Sequence, residues 1–121
     1  MNTLSNHVQL VGHLGKDVET IETGTGKKLA RTTIATNYSY TNGSGEKVEN
    51  TDWHQLVAWG RTAELMQVHA MKGTQLCVVG RLSNRSYEDK EGVKKYITEV
   101  VVNEFKAFKK LLPRFIYRLR F

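Results

Sequence analysis

Apolar and polar residues alternate along most of this chain, and a period of two marks strands with one buried and one solvated face. Residues 7 to 14 place Val8, Leu10, Gly12 and Leu14 on one side, and Gly15 ends the run. A short strand is expected at 18 to 22, ahead of the Gly24-Thr25-Gly26 turn, and a long Thr- and Ala-rich strand at 28 to 40. Asn42-Gly43-Ser44-Gly45 reads as a hairpin tip. The next strand runs from about Lys47 to Trp59, and Gly60 breaks it before a helix over Arg61 to Met71, which offers Ala63, Met66, Val68 and Ala70 or Met71 for burial. Lys72-Gly73 supplies the cation and glycine that close such a helix. Strands over 74 to 87 and 94 to 105, joined by a turn at Asp89-Lys90-Glu91-Gly92, complete the pattern.

With the short 18 to 22 run set aside, five strands carry a single helix between the third and fourth. That is the element order of an OB-fold Greek-key barrel. Alternation alone would also allow an open sandwich. The position of the helix and the glycines at 12, 60 and 80, where strands bend or approach closely, favour an all-β five-stranded barrel.

The polar side of these strands is unusually aromatic. In Thr51 to Trp59, Trp53, Gln55, Val57 and Trp59 share one face while His54, Leu56 and Ala58 share the other. On the 74 to 87 strand, Leu76, Val78, Gly80 and Leu82 line one face, and Cys77, Val79, Arg81, Ser83, Arg85 and Tyr87 line the opposite one. One side is apolar; the other becomes cationic and aromatic, like Tyr38 and Tyr40 in their extended stretch. Flat rings on an open sheet are platforms for stacking nucleic-acid bases. The competing reading makes them a second apolar layer or a subunit interface.

Length and composition change this picture only in part. At 121 residues the chain fits one domain with a core of its own. The single cysteine, Cys77, has no partner within the chain, and the N-terminus lacks the apolar run of a secretory signal. A reducing, cytoplasmic setting is therefore expected. The sequons at Asn37, Asn42 and Asn84 then have no glycosylation role. No stretch reaches the ~20 apolar residues of a membrane span. The net charge of +6 is concentrated at the end: Lys109, Lys110, Arg114, Arg118 and Arg120 leave 13 basic against 12 acidic side chains in residues 1 to 108. Only local clustering can then support phosphate binding.

Other chemistries find little footing. Gly24-Thr25-Gly26-Lys27-Lys28 hints at a phosphate loop, but Ile21 stands where the first glycine belongs and Lys28 replaces the hydroxyl residue, so a turn is expected. His7, His13, His54 and His69 lack metal-ligand spacing, and no cofactor or metal is expected. Cys77 reads as a small packed residue and not as a nucleophile. No catalytic constellation is visible, and a non-enzyme is expected.

Several blocks together carry a resemblance: Asn6 to Asp17, Ile34-Ala35-Thr36-Asn37, Thr51-Asp52-Trp53-His54, Val79-Gly80-Arg81-Leu82 and Tyr96 to Val102. In order and spacing, over about residues 3 to 108, they resemble bacterial single-stranded DNA-binding proteins. The resemblance implies an OB-fold domain at 1 to 108, assembly as a homotetramer, and wrapping of single-stranded DNA in replication, recombination and repair, on the bacterial nucleoid. It places base-stacking rings on Tyr40, Trp53, Trp59 and Tyr87, and DNA-path cations on Arg61, Lys72 and Arg85, which Arg81 joins by alternation. It also matches His54 to a position near the subunit interface.

Residues 109 to 121 depart from that pattern, because relatives usually end in an acidic tip that recruits replication and repair enzymes. Here the segment is a basic, aromatic tail, expected to be disordered and to assist DNA binding, which puts that recruitment in doubt. A truncation joined to foreign residues, a natural variant, and a membrane or nucleic-acid arm all remain open for it. Sequence-independent binding of single-stranded DNA leads the functional readings. The alternatives are a primosomal or RNA-directed OB module and a protein-interaction domain.

Overall fold

The computed structural model describes residues 4 to 108, so the 109 to 121 segment lies outside the described residues. Within them the chain forms β1 (Val8–Leu14), β2 (Glu19–Glu22), β3 (Lys28–Thr41), β4 (Lys47–Trp59), α1 (Gly60–His69), β5 (Gln75–Glu88) and β6 (Lys94–Ala107). The hydrogen-bonded order is β1-β5-β6-β4-β3, and β1 returns to β3, so five strands close a barrel while β2 only lengthens the β3 edge.

Closure rests on two short seams. β1 meets β3 at His13↔Ala35 and Leu14↔Ile34. Strands β4 and β6 meet in parallel at Leu56↔Val100 and Val57↔Val101. By contrast, β3 and β4 stay paired from Leu29↔Trp59 out to Thr41↔Lys47, and β5 and β6 from Leu76↔Ala107 out to Glu88↔Lys94. Past the seams, two long antiparallel ribbons therefore project from the barrel as arms.

Inside the barrel Ile34, Leu56, Met66, Leu76 and Val78 lose essentially all solvent contact. Burying a side chain of this size contributes about 1.5–3 kcal/mol. The hydroxyl of buried Thr32 donates to the Lys16 carbonyl at 2.9 Å, which satisfies the one polar group that β3 turns inward at that level.

Two of the three glycines read from the sequence are sites of close approach. A Cβ at Gly12 would overlap the Ala35 carbonyl oxygen, and one at Gly80 would overlap that of Val101. Gly60 has a different role: its φ of +60° turns the end of β4 into α1. Gly24-Thr25-Gly26 is a turn, and it shares its design with both arm tips. Gly26 donates to Thr23, Gly45 to Asn42 and Gly92 to Asp89, each glycine having a φ near +80°. This is a type I turn with a left-handed glycine after it. In the arm tips, side chains reinforce it. Asn42 Oδ1 accepts the Ser44 and Glu46 N–H groups, and Asp89 Oδ1 accepts those of Glu91 and Val93.

The helix differs from the sequence expectation. It ends at His69 and buries Ala63 and Met66, with Ala70 buried as it leaves, whereas Val68 and Met71 stay exposed. Positions 63, 66 and 70 follow one helical stripe, and Val68 lies on the far side of it. Gly73, with φ +86°, belongs to a separate turn in which Thr74 N–H donates to Met71. That turn is fastened to the end of β1, because Leu14 N–H donates to Thr74 and Gly73 N–H donates to Leu14. No helix among the described residues is long and apolar enough to cross a membrane.

Candidate nucleic-acid interface

The outer face of β4 carries Trp53 and Trp59, six residues apart and so about 20 Å from each other along the strand. Both stay half in solvent, Trp53 at 60% and Trp59 at 45% exposure. Between them Val57, which shares their face, is only 4% exposed. The register explains the difference. Val57 stands in a row across the sheet with Arg31 on β3, Val101 on β6 and Arg81 on β5. Two apolar residues therefore fill the middle of the face, and a cation flanks each side, about 14 Å apart over three strand spacings.

Trp53 sits where a side chain is missing. A Cβ on Gly15 would run into its indole ring, so the ring lies over the glycine at the exit of β1. The Met71–Thr74 turn is bonded to that same exit and brings Lys72 beside it. The Lys72 N–H donates to Asp17 Oδ1 at 2.8 Å, which fixes the backbone and leaves the side chain exposed. Arg61 is exposed in the first turn of α1, two residues after Trp59.

Along β5, Arg81 at the seam and Arg85 and Tyr87 on the second arm continue the outer face, with Tyr87 at 48% exposure. Arg85 is not a free cation. Its Nε donates to Glu99 Oε1 at 2.8 Å across the β5–β6 ribbon. Where β4 and β6 part, a cleft of about 240 Å³ opens, with Trp53 and Gln55 on one bank and Leu82, Thr98 and Glu99 on the other. Leu82, on the face expected to be apolar, is half exposed because it lies past the end of β1, which pairs with β5 only as far as Val8↔Gly80. Among the described residues no group of His, Cys, Asp or Glu side chains is arranged to hold a metal ion.

A barrel closed in this order, with aromatics and cations sharing one outer face, narrows the kinship. The family model described as the single-strand binding protein family matches residues 5–108. The chain belongs to the single-strand binding protein family. Within that family, Single-stranded DNA-binding protein 1 of Chlorobaculum tepidum is 43% identical over 100 residues, covering 82% of this chain and 62% of its own length. The single-stranded DNA-binding protein of Enterococcus faecalis is 42% identical over 100 residues, covering 83% of this chain and 52% of its own length. The chain thus spans between half and two thirds of these relatives. Among solved structures, a Plasmodium falciparum SSB in complex with ssDNA matches with a TM-score of 0.81 at 26% identity, over 90% of this chain and all of that one. A deletion mutant of the single-stranded DNA binding protein from Thermus aquaticus matches with a TM-score of 0.77 at 28% identity, over 86% of this chain and 50% of that one.

One of the four rings expected to stack bases stands apart from the others. The β3–β4 register is unbroken, and it pairs Tyr38 with Asn50 and Tyr40 with Val48. Alternation then puts both tyrosines on the His54 side of the arm, opposite Trp53. Their rings stack on each other with centroids 6.4 Å apart. On the tryptophan side, the residue at that level is Ser39, facing Glu49. Tyr40 is therefore not gathered with Trp53 and Trp59, because a strict two-residue period separates them. His54 lies on the barrel-interior side, half-buried, with Nε2 3.0 Å from Thr36 Oγ1. Arg31 is a residue that sequence reasoning missed. Its signal was the same alternation applied to β3, where it is the outward cation of a run otherwise neutral from Leu29 to Thr41.

Proposed function

We propose that this domain binds single-stranded DNA without sequence preference, stacking bases on Trp53, Trp59 and Tyr87 and drawing the backbone along Arg31, Arg61, Lys72, Arg81 and Arg85. The observation that carries this reading is the pair of half-exposed tryptophans on one cation-flanked sheet face. Stacking on such rings tolerates any base, since every base has a π-face, and exposed cations supply the phosphate attraction. The fold neighbour in complex with ssDNA and the relatives named for that activity support it. The role is binding and protection in replication, recombination and repair in a bacterial cytoplasm, with no catalytic step. Assembly is as a homotetramer, with His54 at a subunit contact. Tyr40 is assigned a secondary contact from the other side of the arm.

The test is a fluorescence titration with poly-dT, followed by competition with RNA and duplex DNA. Quenching of the tryptophans by poly-dT, with RNA and duplex competing weakly, is the expected result. Preferential displacement by RNA would replace this reading with an RNA-directed module.

A further inference from the structure

Glu99 is the one buried ionisable side chain among the described residues, at 7% exposure. A carboxylate is retained in such a place only when it is paired. Its partner Arg85 has 38% of its side chain exposed, so the guanidinium spans from the buried anion to the outer face. Glu99 lines the cleft at the fork of the arms, across from Trp53. Arg81, four residues earlier on the same face, is exposed and has no ion-pair partner among the described residues.

Resting on the single-strand reading above, we propose that Glu99 is a built-in counter-anion for Arg85. It holds the guanidinium against the β5–β6 ribbon, bonded to a residue that lines the cleft, while cancelling its charge. With Nε committed to Glu99, the two terminal nitrogens keep their N–H groups for the DNA backbone. The two arginines then act differently on a phosphate. At Arg81 the guanidinium displaces a counterion condensed on the DNA phosphate, whereas the neutral Arg85–Glu99 pair displaces none. Arg85 contributes geometry and hydrogen bonds; Arg81 contributes salt dependence.

Charge counting makes the difference measurable, since each neutralised phosphate adds about 0.7 to the slope of log K against log salt for a single strand. The pair is neutral in the wild type. Glu99→Gln exposes a positive charge and keeps an oxygen acceptor for Arg85. Arg85→Ala leaves an anion, and the double variant is neutral again. Titrations of the four proteins with poly-dT between about 50 and 200 mM salt, with Arg81→Ala as the reference, test this. The expected slopes are steeper by about 0.7 for Glu99→Gln, shallower for Arg85→Ala, and wild-type for the double variant. A double variant as shallow as Arg85→Ala would show that Arg85 acts as an ordinary free cation and would overturn the proposal. Melting curves accompany each titration. If Glu99→Gln does not fold, the comparison of Arg85→Ala with the double variant still decides. Failure of the wild type to bind poly-dT at all is a separate result, and would overturn the single-strand reading along with the proposal.

Discussion

Trp53 keeps its indole in reach of solvent because Gly15 offers no side chain beneath it. Gly15→Ala forces the ring to tilt or lift, and a ring tip is cheaper to move than backbone. The expected outcome is a shifted emission maximum and weaker poly-dT binding at nearly unchanged melting temperature. Unaltered emission and affinity would show that the glycine does not set the ring's pose. Trp53→Ala and Trp59→Ala should each weaken binding by about 1–3 kcal/mol per lost stack. Wild-type titration curves from both folded variants would remove the tryptophans from the contact. At this scale the sequence was informative wherever a residue's role depended on its own strand. Alternation alone put both tryptophans, Arg81 and Tyr87 outward. It could not show that Arg85 is bonded to Glu99, nor that Tyr40 faces away from Trp53, because both depend on the register between two strands.

Among the elements, the strands and their tips were nearly all readable, since each is announced by a period or by a turn residue at a fixed offset. The helix was harder. Its apolar residues exceed the stripe the barrel can cover, and only contact with β3, β4 and β6 selects Ala63 and Met66 over Val68. Gly12 and Gly80 were legible as glycines but not as partners of particular carbonyls. Gly12→Ala and Gly80→Ala each push a methyl group into a neighbouring strand's backbone, which cannot rotate away. A loss of at least ~1–3 kcal/mol of stability is expected for each in chemical denaturation. Equal stability with wild type would mean that the strands can part at those points. The arm tips tolerate change better. Asn42→Ala frees two N–H groups at an exposed turn, and a cost near ~1 kcal/mol is expected from the same measurement.

For the whole molecule, element order predicted the barrel, whereas the projection of the arms came only from the shortness of the β4–β6 seam. His54 lies at the root of the first arm, on the side away from the tryptophans, where a second copy would pack under the proposed assembly. His54→Tyr should shift the oligomer toward smaller species at low concentration and weaken DNA binding through lost multivalency. Sedimentation showing the same assembly at every concentration would exclude His54 from the contact.

The closure described above also sets an order of events at synthesis. β3 and β4 are neighbours in sequence and can pair as soon as both have emerged, but β1 leans on them through only two residue pairs. Its main partner, β5, aligns Val8 with Gly80, roughly 70 residues later, or about 4–14 s of translation at ~5–20 residues per second. For that interval β1 has an almost unpaired edge, and the barrel can close only when β6 arrives to join β5 to β4.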